Sequence, residues 1–167
     1  DSEVVESPFK AVEIESKSET IKLSIDHPLY LTPSQRLTVG ITLEQRKSKT
    51  LLLGVPFSFS PGVNDGKSRV TALRFYQGWL DRSRTRVVAA RSTFTLGIPG
   101  LGGTKNVAAP DSEYFTWLGQ MQVAQRLWES DSQLVFRADV QLSADQLLPI
   151  EKFSIGGANS IRGYREN

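Results

Sequence analysis

The chain has 167 residues, of which 39% are hydrophobic and 23% charged, and its formal net charge is +2. No stretch approaches the 18 or so consecutive apolar residues of a membrane helix, so a helical membrane protein is excluded. The small and dispersed charge gives no reason to expect a nucleic acid as partner. The absence of cysteine excludes disulfides and fits a protein of the cell envelope. A membrane β-barrel stays compatible with this composition, because only one face of each strand must be apolar.

The first predicted strand covers about residues 20–31, after a charged stretch that we interpret as a loop entering the strand. Apolar and polar side chains alternate along it, which is the period of a strand with two unlike faces. The odd-numbered positions, which we call the apolar parity, include Ile21, Leu23, Ile25, Leu29 and Leu31. The even-numbered positions include Lys22, Ser24, Asp26 and Tyr30.

A short turn around Pro33 leads into the second predicted strand. There Leu37, Val39, Ile41 and Leu43 oppose Thr38, Gly40, Thr42 and Glu44. Polar residues 45–49 are predicted to interrupt the alternation, and a loop rich in proline, glycine and serine follows at residues 56–67. Short turns at one end of the strands and long loops at the other are typical of a bacterial outer-membrane barrel.

The third and fourth strands are predicted at about residues 69–80 and 87–98, with a charged short turn at residues 81–84. Arg74 and Arg91 lie on the parity opposite the apolar side chains. Residues 99–112 form a second long loop, which we predict to be a mobile surface loop. A phosphate-binding loop is disfavoured there, because the lysine and hydroxyl spacing of a nucleotide loop and a following helix are both missing.

The fifth and sixth strands are predicted at about residues 114–128 and 133–143. Ten residues of such a strand rise about 33 Å, or roughly 23 to 25 Å along a membrane normal at 45° tilt, which matches the apolar band of a barrel. The pattern predicts that six charged residues share the polar face, which would meet solvent in a soluble barrel and would line a wet lumen in a membrane barrel: Lys22, Arg74, Arg91, Arg126, Arg137 and Asp139.

No catalytic constellation emerges from the pattern. His27 is the sole histidine, so a histidine-based triad or a site with several histidine ligands cannot be assembled. Carboxylates could be paired on paper, Asp26 with Glu44 or Asp139 with Glu151, but nothing in their spacing brings either pair together as acid–base work requires. We therefore predict no enzyme activity, no metal site and no cofactor.

The last fifteen residues, FSIGGANSIRGYREN, have a composition that disfavours a regular helix or strand. Gly156, Gly157 and Gly163 permit backbone angles that side chains forbid. Arg162 offers a rigid fork of donors suited to a buried carboxylate. We interpret the stretch as a compact loop with one arginine that is suited to binding a carboxylate.

This stretch resembles the glycine-pair and (V/I)RG(Y/F) signature of the outer-membrane transporters of two-partner secretion, relatives of the barrel assembly factors. The matching residues are Gly156, Gly157, Ile161, Arg162, Gly163 and Tyr164. In that family the signature tips a long loop that folds back into the lumen of a sixteen-stranded barrel, where its arginine pairs with an acidic residue of the inner wall. The resemblance implies a gating or locking role for these six residues.

The fold class expected is all-β, a partial antiparallel up-and-down transmembrane β-barrel of about six strands plus the start of the lumen loop. We assign residues 19–145 to the strands and residues 146–167 to the loop. Six strands cannot close a barrel in lipid. We therefore expect the chain to be an internal fragment of a parent protein, whose N-terminal POTRA domains and C-terminal strands lie outside it.

The resemblance implies a pore that secretes an unfolded partner polypeptide across a bacterial outer membrane without nucleotide hydrolysis. The expected partners are that polypeptide and outer-membrane lipid. Three alternatives stay open: an outer-membrane barrel assembly factor, a passive porin, and a soluble lipocalin-like barrel with its apolar parity turned inward around a ligand.

Overall fold

A single antiparallel β-sheet makes up most of the computed structural model, which describes residues 2–3, 14–100, 102–106, 110–127 and 132–152. The six predicted strands are confirmed as the long strands of this sheet. Their order is β1-β2-β3-β5-β6-β7-β8, and β4 pairs with β3. The strands are β1 (Ser2–Glu3), β2 (Ile14–Leu31), β3 (Gln35–Leu52), β4 (Val55–Pro56), β5 (Lys67–Arg82), β6 (Arg86–Gly97), β7 (Phe115–Arg126) and β8 (Gln133–Ser143), with a short 3-10 turn at Pro149–Glu151.

None of the helical structure among these residues is long and apolar enough to span a membrane.

The strand register sorts the side chains onto two unlike faces. Residues that pair directly across neighbouring antiparallel strands share a face. One row runs through Leu23, Leu43, Leu73 and Leu96, and we call its side the apolar face. The adjacent row runs through Lys22, Glu44, Ala72 and Gly97, and we call its side the polar face.

The apolar face is uncovered by any part of the chain that the structure describes. Ile25, for example, is 75% exposed, and Leu23 and Leu142 are exposed as well. Monomeric soluble proteins rarely leave so large a contiguous apolar surface in water. The face therefore needs a neighbour outside these residues.

Three local predictions about the first hairpin are wrong. The sequence predicts a first strand from about residue 20, whereas β2 begins at Ile14, within the charged stretch interpreted as a loop. The polar residues 45–49 do not interrupt the second strand, because β3 continues through them to Leu52 in unbroken register with β2. In addition, the register shifts between Pro28 and Tyr30, so that Tyr30 pairs with Leu37 and Leu31 pairs with Arg36. The extra residue of this bulge moves Tyr30 into the row of the apolar face and Leu31 out of it.

The connections alternate in length as predicted. Residues 32–34 and 83–85 form short turns, whereas residues 98–114 form a long connection. The described part of this connection contacts the sheet, and the mobility predicted for residues 99–112 stays a prediction. The backbone N–H of Ile98 donates to the carbonyl of Thr71 at 2.8 Å, and that of Thr104 donates to Arg69 at 2.9 Å.

The buried apolar core is small and lies at the long-loop end of the polar face. Among the described residues, it consists of Val70, Ala72, Tyr114, Leu147 and Leu148. Val70 and Ala72 lie on the polar face of β5. The other three residues come from the long connection and from the chain after β8. The core thus forms where later segments fold onto the sheet.

Candidate functional site

The chain after β8 turns back onto the polar face, and we call residues 144–152 the return segment. Leu147 forms an isolated parallel bridge with Asp111 of the long connection. Nearer the strand, the backbone N–H of Phe115 donates to Asp145 Oδ2 at 3.0 Å. The return segment is thus joined to the start of β7 and to the loop before it.

Apolar packing holds the middle of the return segment. Leu148 is completely buried, and it belongs to the same cluster as Val70 and Tyr114. Tyr114 comes close to the polar face at Gly97, where a Cβ would collide with its ring. Only glycine allows this approach. Burial raises the pKa of Tyr114 far above its usual value, so its hydroxyl stays neutral.

Beside this core, three cationic side chains of the polar face contact the buried carboxylate of Glu44 on β3. Arg46 Nε donates to Glu44 Oε1, and Arg74 Nε donates to Oε2 at 3.0 Å. Lys22 Nζ lies 3.7 Å from Oε1. A buried carboxylate must be paired in this way, because desolvation strongly disfavours an isolated charge.

Glu151 brings the return segment into the same ion-pair network. Arg74 Nη2 donates to Glu151 Oε2 at 2.7 Å, and Arg46 Nη1 lies 3.7 Å from Oε1. The backbone of the segment is held as well: Arg46 Nη1 donates to the carbonyl of Ile150 at 3.2 Å, and Gln141 Nε2 donates to that of Glu151 at 3.1 Å. The strand side chains therefore hold both the charge and the backbone of the segment.

Arg74 is the centre of this network. Its guanidinium bridges Glu44 and Glu151 and also donates to Thr95 Oγ1 at 3.0 Å. Arginine suits the position because its planar fork presents several donors in fixed directions. The arrangement neutralises two carboxylates and fixes a loop, and it places no unpaired acid or base for proton transfer. We call Lys22, Glu44, Arg46, Arg74 and Glu151 the anchor network.

Further toward the short-turn end, other polar contacts continue across the same face. Tyr76 donates its hydroxyl hydrogen to Asp26 Oδ1, and the guanidinium of Arg91 lies 3.7 Å from the centre of the Tyr76 ring. Asp139 accepts from Gln120 at 2.9 Å and from Arg137 at 2.8 Å. The charged side chains of this part of the polar face thus contact polar or aromatic neighbours on the same face.

All six charged residues that the sequence assigns to one face lie on the polar face. Lys22 and Arg74 belong to the anchor network, and Arg91, Arg137 and Asp139 belong to the contacts nearer the short turns. Arg126 pairs with Gln133 at the short-turn end. Their exposure to a lumen stays a prediction. The signature residues Gly156, Gly157, Ile161, Arg162, Gly163 and Tyr164 lie outside the described residues.

Sequence reasoning missed the anchor network as a unit. Glu44 lies on the polar face that the sequence predicts for the second strand. Arg46 lies two residues later on the same face, but the sequence places it in the predicted interruption at residues 45–49. Glu151 and Tyr114 gave no comparable signal. Their contacts join residues far apart in the chain, such as Arg74 and Glu151, which are 77 positions apart.

The fold of this sheet is similar to that of a known structure. The chain is similar to CdiB from Escherichia coli, with a TM-score of 0.75 at 19% identity over 92% of this chain and 28% of that one. This likeness shows the fold, and the chain spans just over a quarter of that structure. No curated protein matches the sequence. The family model described as haemolysin secretion/activation protein ShlB/FhaC/HecB matches residues 2–167. Since the match covers almost the whole chain, the chain belongs to this family.

Proposed function

We propose that the chain is part of an outer-membrane transporter that secretes an unfolded partner polypeptide without nucleotide hydrolysis. The observation that carries this proposal is the family membership of residues 2–167, together with a sheet whose two faces differ as a barrel wall requires. The protein would lie in a bacterial outer membrane as a multi-pass β-barrel.

The exposed apolar face supports contact with lipid. Large side chains such as Ile25, Phe136 and Leu142 are more than half exposed there. In water this exposure would favour aggregation, whereas in a bilayer it is the condition for insertion. A soluble lipocalin-like barrel would turn this face inward instead. The folded return segment occupies the opposite, polar face, which leaves the apolar face open to lipid.

The polar face supports a wet interior through which a polypeptide could pass. Arg91, Arg137 and Asp139 line it, and their charges are held by neighbours on the same face. An extended polypeptide can keep its backbone hydrogen-bonded in such an environment, because water and polar side chains satisfy its N–H and C=O groups. Transport would therefore need no unfavourable transfer of the polypeptide backbone into lipid.

The return segment supports a loop that occupies the interior. It leaves the end of β8 and is anchored on the polar face by Leu148 and Glu151. The residues that follow, including Gly156 and Arg162, would continue from a fixed stem inside the barrel. Their proposed role is to plug or gate the path of the secreted polypeptide, with Arg162 bound to a carboxylate of the inner wall.

Transport can be tested with the full-length protein in phospholipid vesicles. An unfolded substrate polypeptide is added outside, and the fraction that becomes resistant to external protease is measured, with detergent-treated vesicles as control. Secretion activity predicts protected polypeptide inside the vesicles. Integration of an added unfolded barrel protein into the bilayer would instead indicate an assembly factor. Leakage of small solutes without polypeptide entry would indicate a porin.

A further inference from the structure

A cluster of cations lies on the apolar side of the sheet, beyond the apolar residues and toward the long loops. Lys17, Lys49 and Lys67 pair directly across β2, β3 and β5, forming one row. The next row toward the apolar residues contains Glu19, Lys47 and Arg69. Like charges directly opposite each other destabilise a sheet unless something neutralises them. The arrangement therefore favours an anionic neighbour.

The neutralisation available from the described part of the chain is small. Glu19 Oε2 lies 4.0 Å from Lys47 Nζ, at the limit of an ion pair between exposed groups. Glu15 lies one row farther out, where it pairs with Leu51 on one side and with Glu3 on the other. Lys17, Lys49, Lys67 and Arg69 are all exposed. Surface pairs of this kind contribute about 0 to 1 kcal/mol, and the five cations of the two rows stay in excess over these three carboxylates.

The long connection after β6 closes one side of the cluster. Thr104 replaces the missing strand neighbour of β5: its N–H donates to the Arg69 carbonyl at 2.9 Å, and its Oγ1 accepts from the Arg69 N–H at the same distance. This places exposed Lys105 at the rim. The strand rows and this connection line a groove of about 490 Å³. The cations thus surround a cavity instead of being scattered over the surface.

The position of the groove relative to the apolar face identifies the class of ligand. The row Ile21, Gln45 and Thr71 separates the cations from the leucine row, and Ile21 and Leu23 are 67% and 68% exposed. Along a strand tilted by about 45°, the two cationic rows lie roughly 5 and 9 Å beyond Ile21. The polar region on each side of a bilayer is about 5 to 8 Å thick. The inner cationic row therefore falls at headgroup level, and the outer row lies at its outer edge, from which long lysine side chains can reach back to the headgroups.

We propose that this groove binds the phosphate-bearing headgroup of a lipid of the outer leaflet, whose acyl chains lie against the apolar face below. The proposal goes beyond secretion, and it rests on the proposed placement of that face in lipid. An amphiphile fits better than a soluble anion, because the basic groove lies one row from the exposed leucine row, with exposed Ile21 between them. We call Lys17, Lys47, Lys49, Lys67, Arg69 and Lys105 the headgroup cluster.

The test measures binding of lipid A, a glycolipid with two phosphates, to the folded full-length protein in neutral detergent. Phosphate-free lipid A is measured in parallel. Lys49→Gln combined with Lys67→Gln removes two cations of the outer row. A Lys or Arg near an anionic surface contributes a factor of about five, so the double variant should bind lipid A roughly 25-fold more weakly. Lys17→Gln with Arg69→Gln should give a loss of similar size.

The matched control is Arg84→Gln with Arg86→Gln, which makes the same change in net charge at the short-turn end. This control should bind lipid A as the parent protein does. Equal binding by the control and both cluster variants would overturn the proposal, as would equal binding of phosphate-free lipid A. Displacement of lipid A by excess inorganic phosphate would show a soluble-anion site and would also overturn it.

Heat-modifiable gel mobility reports folding in every sample, and lipid binding is compared only among folded proteins. The measurement requires no transported polypeptide. A protein that binds lipid A through this cluster but fails to translocate a polypeptide would contradict the proposed function and leave the headgroup site intact.

Discussion

At the scale of single residues, the anchor network shows how a barrel wall can hold a loop through a few side chains. Arg74 satisfies Glu44 from the strands and Glu151 from the return segment with one guanidinium. A buried ion pair is weak evidence for added stability, because desolvation offsets much of its attraction. Its stronger effect is on specificity, since a shifted segment would leave charges unpaired in the interior.

Glu151→Gln should loosen the return segment while leaving the strands folded. The substitution keeps the size of the side chain but removes the charge-assisted bond to Arg74, which contributes about 1.5 to 3 kcal/mol. Hydrogen exchange at residues 146–152 should therefore become faster in the full-length protein.

The control for this change is Asp81→Asn, which weakens the exposed pair between Asp81 and Arg86 at 3.5 Å. A surface pair contributes about 0 to 1 kcal/mol, so exchange in the return segment should stay unchanged. Identical exchange in Glu151→Gln and the parent protein would show that the anchor network does not hold the segment.

Arg162 carries a second prediction at this scale. On a glycine-flexed loop inside a lumen, its guanidinium would need a carboxylate partner to avoid a large desolvation cost. Arg162→Ala removes the charge, and Arg162→Lys keeps the charge but loses the bidentate fork. We expect both variants to secrete less substrate per folded barrel, with barrel assembly affected less because the strand faces are untouched.

The measurement is secreted substrate normalised to the folded barrel seen by heat-modifiable mobility. A solvent-exposed arginine would give near-normal secretion in both variants, since exposed ion pairs contribute about 0 to 1 kcal/mol. Wild-type secretion by Arg162→Ala at equal barrel abundance would remove this residue from the mechanism.

At the scale of elements, the two faces of β8 allow a direct test of which one meets lipid. Val135 and Phe136 are neighbours at nearly the same depth, and they point to opposite faces. Phe136→Arg should destabilise the inserted protein, whereas Val135→Arg should have little effect because it reaches the polar face. Val140→Arg, which lies nearer the middle of the apolar face, should cost about 2 to 4 kcal/mol if it sits at the bilayer midplane.

Refolding of the full-length variants into liposomes measures these costs. Val135 is a better control than Gln141, because Gln141 donates to the return segment and its loss would have a second effect. Equal losses for Phe136→Arg and Val135→Arg would contradict the assignment of the apolar face to lipid.

The strands were predictable from sequence wherever one parity was apolar, and the errors have physical causes. Residues 45–49 are polar on both parities, so the period of two disappears although the backbone ladder continues. The bulge after Pro28 was hidden because Leu29 and Leu31 keep the apolar alternation in the sequence. Because proline lacks the N–H that donates to the neighbouring strand, it interrupts the hydrogen-bond ladder and favours a register shift here.

The anchor network was beyond sequence reasoning for a different reason. Alternation reports which face a strand residue occupies, and it placed Lys22 and Arg74 together correctly. It contains no information on where a non-repetitive segment will land. The approach of Glu151 to Arg74 depends on Leu148 packing against Val70 and Tyr114, and Tyr114 in turn depends on the missing side chain at Gly97.

At the scale of the whole molecule, the anchor network and the headgroup cluster lie on opposite sides of the same end of the sheet. The anchor network and the buried core lie on the polar face there, and the headgroup cluster lies at the same end on the other side. If the long loops are extracellular, the loop stem is held at the outer mouth and the cations meet the outer leaflet. Both proposals therefore depend on the same orientation of the sheet in the membrane.

This orientation gives the last prediction. The loops around residues 55–67 and 99–112 should be outside the cell, and the short turns near Pro33, Arg84 and Ser130 should face the periplasm, because outer-membrane barrels have long external loops and short periplasmic turns. The chain has no cysteine, so single cysteines can be introduced without background labelling. Lys105→Cys and Arg84→Cys are suitable because both positions are exposed. On intact cells, a membrane-impermeant maleimide should label position 105 and should label position 84 only after the outer membrane is permeabilised. Labelling of position 84 alone would reverse the orientation and move the headgroup cluster to the inner leaflet.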